Sequence, residues 1–182
     1  MLKWLPNALT CSRLVLALPL AYLILQQEFF YALLLGAVAG ITDLLDGFFA
    51  RRLQALSRLG AALDPIADKI MINLTLLCLA QVDAVPWFLA LVVVVRDLVI
   101  VSGAAAYHML IGPFEFAARN LSKLNMFMQI TYCVLVLSAQ LTPFTPELLA
   151  WSGIAVILIA LVSGIDYVVT WSRKAMSARR EA

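Results

Sequence analysis

Four aspartates stand out in an otherwise apolar stretch of chain: Asp43 and Asp46, then Asp64 and Asp68. The first two are three residues apart and the second two four apart, so each pair occupies one face of a helix. Between the pairs lies a short basic segment, Arg51 to Arg58, suited to the turn of a helical hairpin. Such a hairpin lets the four carboxylates converge. Their donor atoms are hard oxygens, which favour Mg²⁺ or Mn²⁺ over softer metals. No His or Cys lies close enough in sequence to argue for zinc.

Energy separates this reading from a bland one. A charged residue deep in a membrane helix costs about 2.5–3.5 kcal/mol on the insertion scale. Four unpaired aspartates would together cost roughly 10 kcal/mol, and less when close to the interface. A structural network with Arg51, Arg58 and Lys69 would offset part of this cost, but a cation site accounts better for four acids on two facing pairs. Gly47, Ala50, Gly60 and Ala61 leave a shallow face beside the acids, where a ligand can approach the backbone. Small residues standing alone would be read as close helix packing. Arg51 is placed to meet an anionic phosphate, and a simple interfacial anchor would look the same.

The elements that must hold these residues are membrane helices. The chain has 182 residues, enough for one domain, with 64% apolar and 13% charged residues; soluble domains carry about 45–50% and about 25%. A soluble domain of this size has too little interior to hide that much apolar surface. The net charge of +2 is too small to point to nucleic acid. Cys11, Cys78 and Cys133 are well separated and match neither a zinc spacing nor a disulfide framework, so they read as small buried hydrophobes.

A span needs about 20 mostly apolar residues, and six segments qualify: 8–27, 30–51, 62–81, 86–110, 121–141 and 147–171. They are separated at Gln26-Gln27-Glu28, Arg51 to Arg58, Asp83 to Pro86, Gly112-Pro113 and Pro143 to Glu147. The first segment resembles a signal peptide in length. Arg13 interrupts it and no small-residue cleavage site follows, so an uncleaved span is expected. Leu5-Pro6-Asn7 is expected to belong to a short helix on the membrane surface.

Orientation follows from the basic residues. Lys3, Arg51, Arg52, Arg58, Arg119, Lys123, Arg173, Lys174, Arg179 and Arg180 fall on one side; Glu28, Asp83 and Glu147 fall on the other. Both termini and the 51–60 loop are therefore expected in the cytoplasm, which six spans allow. The aspartates then sit about 8–12 Å below the cytoplasmic interface, at 1.5 Å per residue.

The run Asp43-x₂-Asp46-Gly47-x₂-Ala50-Arg51-x₈-Gly60-x₃-Asp64-x₃-Asp68 resembles the complete signature of the CDP-alcohol phosphotransferases. Pro6-Asn7-x-Leu9-Thr10-x₂-Arg13 and Asp64-Pro65-x-Ala67-Asp68-Lys69 are similar to its phosphatidylglycerophosphate and cardiolipin synthase branch. The resemblance implies an all-α polytopic fold of six transmembrane helices, a homodimer and a polar cavity open to the cytoplasm of a bacterial inner membrane. It implies that Asp43, Asp46 and Asp64 hold two divalent cations, with Asp68 contributing or acting as base. Gly47, Ala50, Arg51 and Gly60 would line the site for the CDP moiety. The implied reaction moves a phosphatidyl group from CDP-diacylglycerol to a glycerol-type acceptor and releases CMP.

The acceptor turns on other residues. Arg96-Asp97 in the fourth span and Ser122-Lys123-x-Asn125-x₃-Gln129 in the fifth look more like the cardiolipin synthase type, whose acceptor is phosphatidylglycerol. Glycerophosphate-using relatives usually carry Arg-Glu at the first place and a second Lys at the position of Asn125, so glycerol 3-phosphate is the alternative. Arg96 and Asp97 point about 100° apart on a helix and need not pair with each other. Intramembrane charge marks function by default, yet Arg96 and Asp166 have structural alternatives too. His108 reads as interfacial packing, and Trp4, Trp87, Trp151 and Trp171 as interface anchors. The Arg173–Arg180 tail reads as a topology determinant that also attracts anionic lipid. A cation transporter is the rival class, but it calls for acids spread through the membrane depth. A non-catalytic scaffold gives the acids no role.

Overall fold

A computed structural model of the chain describes residues 5–52, 58–110, 120–142 and 144–181, with side chains at 14–42, 67–106, 109, 121–142 and 144–172. Among these residues six helices follow one another: α1 (Leu5–Leu25), α2 (Phe29–Arg52), α3 (Arg58–Gln81), α4 (Trp87–Leu110), α5 (Asn120–Ala139) and α6 (Pro146–Glu181). No strand occurs among the described residues. Helices satisfy their own backbone hydrogen bonds, as a chain this apolar needs in lipid.

Each expected segment has its helix, with three differences at the ends. Leu5, Pro6 and Asn7 open α1 itself, not a separate surface helix; proline is tolerated in a first turn because its missing N–H would have no partner there. The third helix begins at Arg58, four residues before the expected start at 62. The sixth continues past 171 to Glu181, so the basic tail is helical. Cations in a last turn are favoured by the helix dipole.

Among the described residues, three helices are long and apolar enough to cross a membrane, over Trp87–Ala106, Leu121–Ala139 and Pro146–Ser172. Leu14–Leu25 and Phe29–Thr42 are shorter apolar stretches, and the described part of α3 carries Asp68, Lys69 and Asn73. Helices α1 and α3 end alike. Gln27 and Asp83 take left-handed conformations, φ 60° and 57°. The amides of Glu28 and Ala84 then donate back to Leu23 and Leu79, each at 2.9 Å. This is the Schellman closure, built here without glycine.

The chain forms two compact units, 1–87 with 133–144 and 88–132 with 145–182. In the first, α1 packs along both α2 and α3, with Ile24, Leu76 and Leu79 fully buried. Its opposite face exposes Val15, Leu18 and Tyr22, a surface suited to lipid and not to water. In the second unit, α4, α5 and α6 meet at Gly153. A Cβ there would lie 3.1 Å from Leu89 Cδ1 and 3.2 Å from the Tyr132 hydroxyl. An added Cβ would require Leu89 or Tyr132 to give by a few tenths of an ångström, so glycine suits that approach. Trp87 and Trp151 are exposed, as anchors require, whereas Trp171 stacks on Tyr167 with ring centroids 5.2 Å apart. Cys78 and Cys133 are buried free thiols, as expected of small hydrophobes.

Candidate active site

The signature residues occupy the last turns of α2 and the first turns of α3. Asp43, Asp46, Gly47, Ala50 and Arg51 all lie in the last ten residues of α2, which is helical without a break to Arg52. Positions 43, 46, 47 and 50 follow the i, i+3, i+4, i+7 rule and form one stripe. Gly60, Asp64 and Asp68 lie in the first eleven residues of α3. They recur at strict four-residue steps, again one stripe.

Depth along the two helices matches as well. Asp46 and Asp64 are each six residues from the helix ends at Arg52 and Arg58, or about 9 Å. Asp43 and Asp68 are nine and ten residues in, or about 14–15 Å. Chain connectivity holds the Arg52 and Arg58 ends within about 20 Å of each other, the reach of six extended residues. The side chains of Asp43, Asp46, Gly47, Ala50, Arg51, Gly60 and Asp64 lie outside the described residues, and with them the convergence of the four carboxylates. Asp68 is described. It is partly exposed beside the buried Ala67, and it makes a polar interaction of its own.

The second unit holds most of the buried polar side chains among the described residues: Arg96, Asp97, Asn125, Gln129 and Ser163. Adjacent residues on a helix need not pair, yet Arg96 and Asp97 do. Nη1 of Arg96 donates to Asp97 Oδ1 at 2.5 Å, with both side chains about 5% exposed. The long arginine stem lets the guanidinium turn back across the 100° offset, which spacing alone does not reveal. Nη2 of the same group donates to the Ser163 hydroxyl of α6. The stem passes Gly164, where a Cβ would sit 3.3 Å from Arg96 Cγ. Among the described residues, Arg96 thus pairs with its own neighbour Asp97.

Beside this cluster, α4 and α6 frame an apolar groove of about 500 Å³, lined by Phe88, Leu91, Val95, Val99, Leu161 and Ile165 among others, with Arg96 its charged lining residue. Asp166 is partly exposed and has a polar partner. The side chain of His108 lies outside the described residues. Sequence reading missed Ser163 as the arginine's partner, since one serine in a long apolar run has no signal beyond its polarity. It also missed how deeply Asn125 and Gln129 are buried, although their spacing of four put them on one face.

Comparison with known proteins bears on the signature. The CDP-alcohol phosphatidyltransferase family profile matches residues 3–178. The chain belongs to this family. Among its relatives, the cardiolipin synthase (CMP-forming) of Rattus norvegicus is 44% identical over 98 residues, covering 53% of this chain and 32% of that protein. The chain thus spans about a third of that relative's length. The cardiolipin synthase (CMP-forming) of Streptomyces coelicolor is 40% identical over 98 residues, half of this chain and 46% of that protein. The CDP-diacylglycerol–glycerol-3-phosphate 3-phosphatidyltransferase of Bacillus subtilis is 30% identical over 183 residues, covering 90% of this chain and 92% of the relative. Both acceptor types are therefore represented among relatives of this family member.

Proposed function

We propose that this chain is an integral membrane enzyme that transfers a phosphatidyl group from CDP-diacylglycerol to a glycerol-type alcohol and releases CMP. The observation that carries the reading is the doubled stripe: two helices placing acid positions at matched depth, interleaved with Gly47, Ala50 and Gly60. The donor set of Asp43, Asp46, Asp64 and Asp68 fits two divalent cations, Mg²⁺ or Mn²⁺, because every ligand is a carboxylate oxygen. Bound there, the cations supply Lewis-acid and template chemistry at the pyrophosphate.

The residues of the chain do the rest. Gly47, Ala50 and Gly60 keep the stripes low enough for the CDP moiety to approach, and Arg51 meets a phosphate at the helix end. Asp68 accepts the proton of the acceptor hydroxyl. That oxygen attacks the phosphorus bonded to diacylglycerol, the P–O bond to the CMP phosphate breaks, and CMP leaves. General-base help of this kind is typically worth about 10²–10⁴-fold. The partial exposure of Asp68 supports its access to a reactant.

Phosphatidylglycerol is the favoured acceptor. Arg96 is already neutralised by Asp97, so this pair offers no spare cation to a phosphorylated small molecule, and Asn125 adds none. Glycerol 3-phosphate is the second reading, supported by a relative of nearly the same length. The same proposal makes the chain one membrane domain of six spans and a homodimer in a bacterial inner membrane. Its site and termini face the cytoplasm, a reading supported by the one-sided distribution of Lys and Arg. The test is CMP release by purified protein given CDP-diacylglycerol, Mg²⁺ or Mn²⁺, and each acceptor in turn. Release with phosphatidylglycerol is expected. Absence of CMP with both acceptors refutes the enzyme reading in favour of a cation transporter.

A further inference from the structure

The basic residues at the end of α6 fall in two pairs, Arg173-Lys174 and Arg179-Arg180, with no acidic residue until Glu181. As a run of charges the segment could hang loose in water or lie flat on the membrane, and either would serve as a topology determinant. The fold has a third arrangement. α6 is one helix from Pro146 to Glu181, and beyond Gly164 it has neither glycine nor proline at which to kink. The tail therefore continues along the axis of the apolar span.

Two tryptophans set the level of that span. Trp151 is exposed and Trp171 stacks on Tyr167; such amphipathic rings favour the two membrane–water interfaces. Residues 151 and 171 are twenty apart, which is about 30 Å of helix and the thickness of the hydrocarbon core. Trp171 thus marks the edge of the hydrocarbon on the side of the tail.

Heights beyond that edge follow from the helical rise. Arg173 and Lys174 stand two and three residues past Trp171, or about 3–4.5 Å; Arg179 and Arg180 stand eight and nine past it, or about 12–13.5 Å. The headgroup layer is about 5–7 Å deep on each side. The inner pair lies inside it, level with lipid phosphates. The outer pair lies beyond it, and its backbone stays about 9–10 Å out even at a tilt of 40°, the upper end of the usual range. For an upright helix, about one Debye length separates the outer pair from the headgroups at physiological salt, where that length is ~8 Å, and two or more in 1 M salt, where it is ~3 Å.

We propose that the helical tail is a two-tier surface for anionic phospholipid. Arg173 and Lys174 hold lipid phosphates by contact, and Arg179 and Arg180 gather the same lipids through the diffuse layer. The partner follows from charge and height: four cations without an acid among them, rooted at headgroup level, where anionic lipid supplies the fixed negative charge. A cation at such a surface enriches singly charged lipid about fivefold, and one held a Debye length away about twofold. This surface is independent of the reaction proposed above.

The experiment uses the full chain in phosphatidylcholine vesicles, in the background Trp4→Phe/Trp87→Phe/Trp151→Phe, so that Trp171 alone fluoresces. Quenching by a minor fraction of phosphatidylserine with brominated chains is compared with quenching by brominated phosphatidylcholine. Phosphatidylserine is anionic and is no glycerol-type acceptor. The unaltered tail is expected to concentrate phosphatidylserine about tenfold over phosphatidylcholine in 0.15 M salt and about fivefold in 1 M salt. Arg173→Gln/Lys174→Gln is expected to leave about twofold in the lower salt and no preference in the higher. Arg179→Gln/Arg180→Gln is expected to show about fivefold in both. Should the single-tryptophan background fail to fold, the signal is taken as the difference between the natural chain and Trp171→Phe. Should the inner variant fail to insert, the outer pair, which lies outside the membrane, is read by its salt dependence alone. Equal quenching by the two lipids with the tail intact overturns the proposal and leaves a topology determinant. A preference that survives both variants places the lipid elsewhere and overturns it too. An outer pair whose loss costs the same in both salts overturns the two tiers, because the tail then lies flat on the surface.

Discussion

Replacing Arg96 by methionine keeps most of the stem that lies on Gly164 and removes the charge that answers Asp97. The two side chains are about 5% exposed, with Nη1 and Oδ1 2.5 Å apart. Two unit charges about 4 Å apart attract by roughly 4 kcal/mol at an effective dielectric of about 20. Removing one partner of a buried pair typically costs about 3–5 kcal/mol, because the other charge stays behind without compensation. Arg96→Met is therefore expected to destabilise by about 3–4 kcal/mol. At roughly 2–4 °C per kcal/mol for a chain of this length, that is a fall of about 6–16 °C in melting temperature. Ser163→Ala removes only the second hydrogen bond and should cost about 1 kcal/mol. The deciding variant is Arg96→Met/Asp97→Leu. With both charges gone the ion pair no longer has to be balanced, and stability should return towards wild type, short by what the other polar interaction of Asp97 contributes. The assay is thermal unfolding in detergent micelles, assembled as a double-mutant cycle with Asp97→Leu. A double variant as unstable as Arg96→Met would refute the reasoning. The arginine would then matter through its hydrogen bond to Ser163 and not through its charge.

Four further outcomes are expected. Asp68→Asn should abolish CMP release while the protein elutes and melts as wild type; near-normal turnover would remove Asp68 from the role of base. Chelation with EDTA should stop CMP release and added Mg²⁺ or Mn²⁺ should restore it, whereas activity indifferent to chelation would refute the carboxylate cation site. Gly153→Ala must push a Cβ to within 3.1–3.2 Å of Leu89 and Tyr132 and should cost about 1–3 kcal/mol, while Gly36→Ala meets nothing within 4 Å and should gain about 0.5–1 kcal/mol of helix stability; equal melting temperatures would contradict both. Gln27→Gly relieves a left-handed residue at φ 60° and should stabilise by about 1 kcal/mol, read as a rise in melting temperature.

Much of this protein is written locally. Apolar runs of about 20 residues, broken by charges, prolines and glycines, placed the six helices within a few residues, except for the end of α6, which lies ten residues beyond the expected 171. A helix satisfies its own backbone hydrogen bonds, so in a chain this apolar length and hydropathy go far towards marking it. The aspartate stripes were legible for the same reason: helical periodicity converts spacing directly into a shared face. Helix ends were less legible. The basic tail continues α6 because nothing in Arg173–Arg180 breaks a helix, and Gln27 and Asp83 adopt left-handed caps that their side chains do not advertise.

Tertiary structure decided what spacing leaves open. Sequence proximity argued that Arg96 and Asp97 point apart, yet burial in a low dielectric draws the flexible guanidinium back onto its neighbour and across to Ser163. The Gly153 contact among three helices likewise depends on partners far away in the chain. Periodicity tells which residues share a face of one helix. What that face meets is fixed only when the helices pack.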